Sequence, residues 1–580
     1  MTNELQQVTL GDADADLVVT GGEVILPESG QRYERDIVVA GERIAGLPAD
    51  GSAAIGPETE TVDASGCVVT PGLVNAHVHI DSFQPFERIY HRILETGTTA
   101  LVTECCDFGC AFGADGLDQL LGATADIPFR VYPTVPPQAF LDAFDLAYEQ
   151  FDDAARAAHI DALDNPRVIG VGEIPWVQVV GRSSPVEKLV DAAHDRGKTV
   201  SAHGAGCTGE RLVALASMVD DDHESVSSRD VIERIENGLH AVGRYSTFRD
   251  DIEAVLEAYE RFGPSELSLS TDWIWPTDIV DEGYMDAVLR RAIQVGIEPI
   301  DAVRMATLNP ARHFGLDGIG SLSPGSLADI AVFEDLQSLQ ARTVIVDGEV
   351  VVEEGTALVE PREYEYPDWF RESVSVSPTV EDFRVPVSAG QDGRIRAVHL
   401  EGGTVTSETT VEPAVSGDSF VPDPDRDVLA VSLFDRFPDS AGTGFTGFLT
   451  GYGLEAGAVA TTHTWQTSGL LAIGTDAASM HRATKEVVEQ GGGWVVRDDS
   501  ATRVSFPTPI GARCGECTLD ESATKLRAVS ETLRELGVTA ELPPLLPQAL
   551  TFTGVPALRL SFSGYADVFA GETVGLDPEK

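Results

Sequence analysis

The chain has 580 residues, 43% hydrophobic and 23% charged, enough for several domains with sizeable cores. Forty Lys and Arg stand against ninety-four Asp and Glu, a formal charge of −54, which argues against nucleic acid and anionic membranes as partners. No apolar run reaches the roughly 18–20 residues of a membrane span, and seven cysteines in this length do not make a disulfide scaffold.

The acidic start MTNELQQVTLGDADADLV lacks the features of a signal peptide, so the cytoplasm is the expected compartment. Lysine is confined to Lys188, Lys198, Lys485, Lys525 and Lys580, and the carboxylates are dispersed, as in DDAARAAHIDALDN. Such a surface suits concentrated salt, where screening removes most of its self-repulsion.

Residues 1–70 carry short alternating apolar runs between turns, such as DLVVTGGEVILPESG and RDIVVAGERIAGL. They predict the first part of a small β-domain. Over residues 71–318 short apolar runs (LVNAHVHI, TALVTECC, VIGVGEI, TVSAHG, ELSLSTD) alternate with helical segments such as PVEKLVDAAHDRG and GYMDAVLRRAIQVG. That alternation is the pattern of βαβ units and, over this length, of an α/β chain folded as a (β/α)8 barrel. Residues 319–360 return to strands and turns and predict the remainder of the small β-domain, split around the barrel. Residues 361–385 are polar and proline-bearing and form a crossover. Residues 386–580 predict an additional C-terminal α+β domain, with strands such as VLAVSLFDR and a helix, MHRATKEVVEQGGG, stopped by glycines.

The barrel carries the chemistry. In TPGLVNAHVHIDS, His77 and His79 are two residues apart on a strand, so both imidazoles share a face. Alone, this pair is as consistent with structure as with a metal. Glu173 ends VIGVGE, His203 ends TVSAH, Asp272 ends ELSLSTD, and His223-Glu224 lies in the polar segment DDDHES. Groups at the C-terminal ends of barrel strands converge on one mouth whatever their separation in sequence. Histidines with carboxylates match the preferences of zinc, manganese or ferrous iron. His91, His159, His194, His240, His313, His399 and His481 fall in helical or surface stretches and are expected to be structural, and Cys105, Cys106 and Cys110 to be small core residues. Cys514 and Cys517 form a lone pair without a second pair at zinc spacing.

TPGLVNAHVHI resembles the first-strand motif of the amidohydrolase superfamily. With VGE at Glu173, DHE at Asp222-His223-Glu224, STD at Asp272, and GAVATTHTWQTSGLLAIGTD, EVVEQGGGWVV and FPTPIG in the third domain, the chain resembles the adenine deaminase family throughout. The resemblance implies an amidohydrolase-type barrel and hydrolytic deamination of adenine to hypoxanthine and ammonia by a metal-activated hydroxide. It implies two divalent ions, manganese or iron ahead of zinc. His77 and His79 would hold one, His203 and His223 the other, Glu173 would bridge them, and Asp272 would both ligate and assist catalysis. Glu224 would carry the proton. The chain departs from the family at GEIPWVQ, TDW, ECCDFG and TTHTWQ, which makes Trp176, Trp273 and His463 candidates for the substrate pocket. A small purine base is the expected partner, and a homo-oligomer is left open.

Two other functions compete. Hydrolysis of another aminopurine or a cyclic amide uses the same metals, but no lysine lies between Leu101 and Val186 to be carboxylated at the Glu173 position. A non-catalytic binding protein on the same fold predicts eroded ligands, and every one is present.

The charge makes a direct prediction. Thermal melts should rise with sodium or potassium chloride, as the Debye length shrinks from about 30 Å at 0.01 M to about 3 Å at 1 M. A melting temperature indifferent to salt contradicts the reading.

Overall fold

The computed structural model describes residues 2–141, 144, 151–182, 184–390, 393–437, 444–555 and 557–579. Eight parallel strands follow one another around a barrel: β1 (Leu73–His79), β2 (Thr98–Glu104), β3 (Arg130–Val135), β4 (Gly170–Pro175), β5 (Thr199–His203), β6 (Asp221–Asp222), β7 (His240–Arg244) and β8 (Leu267–Ser270). A parallel bridge between Val78 and Asp272 joins the last strand to the first. The strands are near-continuous buried runs, as expected where both faces of a parallel sheet are covered. Helices such as Phe86–Leu94, Val186–His194 and Met285–Val295 cover the outside with one apolar face each.

The β-layer is one nine-stranded sheet built from both sides of the barrel. The seam is antiparallel pairing of Val68–Pro71 with Ile330–Phe333, in register Ile330 to Pro71 and Phe333 to Val68. Its core includes Leu17, Val19, Ile37, Ile330 and Ile345.

The crossover contains a short helix, Asp368–Arg371, whose Phe370 packs on Phe108 and Phe112 of the barrel. Beyond it an eight-stranded sheet, with Leu429–Asp435 and Gly469–Gly474 near its centre, carries the helices Ala477–Glu489 and Leu519–Glu535. The first is capped by Asp476 and ends before Gly491, Gly492 and Gly493, all at positive φ. The second begins with a capping box between Thr518 and Glu521.

This sheet does not hang apart from the barrel. One apolar core runs from Phe83, Trp273 and Trp275 at the barrel mouth into Trp465, Trp494, Phe506 and Phe552. Burial of these large rings fastens the C-terminal sheet over the open end of the barrel. Among the described residues no helix is long and apolar enough to cross a membrane.

Candidate metal centre and catalytic cavity

His77 and His79 project from the end of β1, and each presents its Nε2 at 3.5 Å from Asp272 Oδ1. Asp272 lies just past β8 with φ at 50°, a left-handed conformation that Asp adopts more readily than most residues. The Asp272 amide donates to the His77 carbonyl at 3.0 Å, which holds that turn in place. Glu173 leaves β4 between the two halves of the site. Its Oε1 lies 4.0 Å from His79 Nε2, and its Oε2 lies 3.1 Å from His203 Nδ1 and 3.2 Å from His223 Nε2. The His77 and His223 rings stack at 3.8 Å. His223 sits directly after the two-residue strand β6, so the polar segment DDDHES supplies part of the barrel wall. The structure thus brings His77, His79, Glu173, His203, His223 and Asp272 into one cluster, with Glu224 beside it.

Backbone geometry explains the convergence. Gly172, just before Glu173, leaves room for the Glu104 side chain: a Cβ there would lie 2.0 Å from Glu104 Oε2. That oxygen accepts from the Glu173 amide at 3.0 Å and from Thr134 Oγ1 at 3.0 Å, which fixes the end of β4. Asp222 accepts from the Gly204 and Glu224 amides and pairs with fully buried Arg234 at 2.9 Å. This locks the turn that carries His223 and Glu224.

The electrostatics follow from burial of many ionisable groups together. Burial alone would raise Glu173, but hydrogen bonds from His203 and His223 hold it well below the carboxylate range. Burial is likewise outweighed at Asp272, where His77, His79 and Arg244 hold the carboxyl well down. His79 rises to about 9, its desolvation overcome by Asp272 and Glu173. Such a cluster calls for cations. His77 Nε2 is buried, with Asp272 Oδ1 at 3.5 Å and no shorter polar contact. The donor atoms of His77, His79 and Asp272, of His77, Glu173 and His223, and of His203, His223 and Glu224 each fall within 4.8 Å of one another. Imidazoles and carboxylates in overlapping sets fit divalent metal ions.

Several residues not singled out in the sequence complete the site. Arg244, at the end of β7, donates through Nη1 and Nη2 to both Glu224 oxygens, and through Nη1 to Asp272 Oδ2 at 3.1 Å. Its Nε bonds Asp251 at 2.8 Å. Its only signal was a charged group ending the apolar run HAVGR. Gln466 comes from the C-terminal domain and donates to Glu173 Oε1 at 2.8 Å; like Asp272 it has positive φ, at 53°.

The cluster floors a cavity of about 340 Å³ with mostly apolar walls, among them Phe248, Trp273, Trp465, Phe552 and Val555. Trp273 packs 4.7 Å from the His79 ring and 5.1 Å from Trp465. A larger recess of about 830 Å³ adjoins it and shares Phe248, Arg249, Thr404 and Val405, but holds none of the metal-type residues.

Two expectations are corrected. Trp176 does not line the cavity: it begins a helical turn, Trp176–Val179, and its indole turns away to donate to the Ala205 carbonyl at 2.7 Å. His463 stays outside too, lying 4.6 Å from the Phe83 ring and bonding Ser82 and Thr508. Burial and nearby Arg513 hold its pKa well below the usual histidine range. Trp465 and Gln466, two and three residues further on, reach the cavity instead. Cys106, expected in the core, also lines it. Cys514 and Cys517 are free, and no metal-type cluster among the described residues includes them.

Comparison with known proteins agrees with this geometry. Residues 68–351 match the amidohydrolase family, and residues 403–572 match the adenine deaminase C-terminal domain. The chain is 30% identical to the adenine deaminase of Moorella thermoacetica, over 99% of this chain and 98% of that one. It is 29% identical to that of Methanothrix thermoacetophila, over 96% of each. It is 28% identical to that of Halalkalibacterium halodurans, over 98% of this chain and 97% of that one. With both domains matched and full-length relatives at this identity, the chain belongs to the adenine deaminase family of the amidohydrolases.

Proposed function

We propose that the protein hydrolyses adenine to hypoxanthine and ammonia, a purine-salvage reaction. The observation that carries the reading is the cluster of four histidines, Glu173 and Asp272 beside a cavity walled by aromatic side chains. The full-length match to adenine deaminases supports adenine as the substrate.

His77, His79 and Asp272 would hold one divalent ion and His203 and His223 the other, with Glu173 between them. Manganese, ferrous iron and zinc all suit this donor set, and the family resemblance favours manganese or iron. When bound, the ions supply Lewis acidity that lowers the pKa of water from about 15.7 to about 7.

The chain's own residues do the rest. The indoles of Trp273 and Trp465 and the ring of Phe552 offer flat apolar surfaces for a purine, and the carboxylates at the floor fix its orientation. Glu224 faces this floor, 3.7 Å from His203 Nδ1. Its burial is outweighed by Arg244, which holds the carboxyl below its ordinary value. Addition of water to the C=N bond at the carbon that bears the amino group places one of its protons on the neighbouring ring nitrogen, and the other must reach the amino group before it can leave as ammonia. Glu224 takes the first proton and hands it to the ring nitrogen, and the second passes from the added hydroxyl by way of Asp272 to the departing ammonia. Asp272, aimed at the same space by Arg244, steadies the attacking water by accepting its hydrogen bond. The acidic, lysine-poor surface supports work in concentrated salt.

Two measurements test the reading. Glu224→Gln should keep its metal and its fold while turnover falls by about 10²–10⁴-fold; near-normal turnover would show that the proton travels another way. Ammonia release should be seen with adenine and be weak or absent with adenosine, guanine and cytosine. Turnover of adenosine or cytosine with adenine ignored contradicts the substrate and leaves the metal chemistry standing.

A further inference from the structure

Cys106 directly follows Cys105, the residue after β2, and lines the catalytic cavity beside the metal-type cluster. In this structure its thiol donates to Glu173 Oε1 at 3.6 Å, the oxygen that also faces His79 Nε2 at 4.0 Å. Donor atoms of His79, Cys106 and Glu173 all lie within 4.8 Å of one another. A sulfur at about 2.3 Å and a carboxylate oxygen at about 2.0–2.2 Å from one tetrahedral ion stand about 3.5 Å apart. The observed separation therefore suits a shared ion. Gln138 Nε2 donates to the sulfur at 3.8 Å and so holds it facing the cluster.

Resting on the metal-centre reading above, we propose that Cys106 is a further ligand of the ion held by His79 and Glu173. The thiol gives its proton to solvent as the sulfur–metal bond forms. A soft thiolate in an otherwise nitrogen and oxygen set biases the site toward zinc over manganese, so this chain's metal preference follows from a residue in its ECCDFG segment.

The test uses full-length protein stripped of metal and reloaded with cobalt(II). The wild type should show an intense near-ultraviolet thiolate-to-cobalt charge-transfer band. Cys106→Ser should lose that band while still binding cobalt, and should lose at least about tenfold of the wild-type preference for zinc over manganese in competition. Should Cys106→Ser fail to fold, the wild-type spectrum and the Cys106→Ala variant decide the matter. Cobalt bound with weak visible bands and no charge transfer overturns the proposal and leaves the metal centre intact. A band that survives in both variants assigns the sulfur to another cysteine and also overturns it. Protein that takes up no cobalt defeats the metal-centre reading, and the proposal with it.

Discussion

The structure depends on placing the Glu173 carboxylate, an ionised group, deep inside the protein. A buried carboxylate costs several kcal/mol unless cations and hydrogen bonds surround it. Here His203 and His223 bond one oxygen, Gln466 bonds the other, and His79 faces it. These partners come from three further barrel strands or their ends and from a separate domain. The barrel must close and the C-terminal sheet must seat before Glu173 is satisfied, so the fold and the reactive centre are coupled through one side chain.

The C-terminal domain is accordingly part of the site rather than an appendage. Gln466 spans 293 residues of sequence to reach Glu173. Trp465 and Phe552 line the cavity together with the barrel's own Trp273, against which Trp465 packs at 5.1 Å. Arg513, fully buried, donates to the carbonyls of Thr464 and Thr467 and thereby holds the turn that presents Trp465 and Gln466. Its guanidinium also lies 3.7 Å from Asp107 of the barrel wall, so the same arginine joins the two halves.

Much of this was legible in the sequence where function follows from strand position. His77, His79, Glu173 and His203 end recognisable apolar runs, and a barrel brings strand ends together. The split β-layer was visible as the same strand-and-turn texture on both sides of the barrel. What escaped depends on direction and on long-range contact. Trp176 and Trp273 both follow a site carboxylate closely. One starts a helical turn that points its indole at Ala205, whereas the other follows the left-handed Asp272 and is swung into the cavity. Composition does not distinguish the two. His463 drew attention as a histidine, yet the residue that reaches the centre is its neutral neighbour Gln466. Arg244 has no signature in the sequence, because a charged strand end gains its meaning only from Glu224, Asp251 and Asp272 around it.

The proposal with the most at stake is that Glu173 would be shared between two divalent ions. Its most direct test is anomalous diffraction from crystals of the metal-loaded protein, recorded at the absorption edge of the bound metal. The account predicts two peaks about 3.5–4 Å apart, one on each side of the Glu173 carboxylate, one touching His77 and His79 and the other His203 and His223. A single peak, or peaks remote from Glu173, would contradict it.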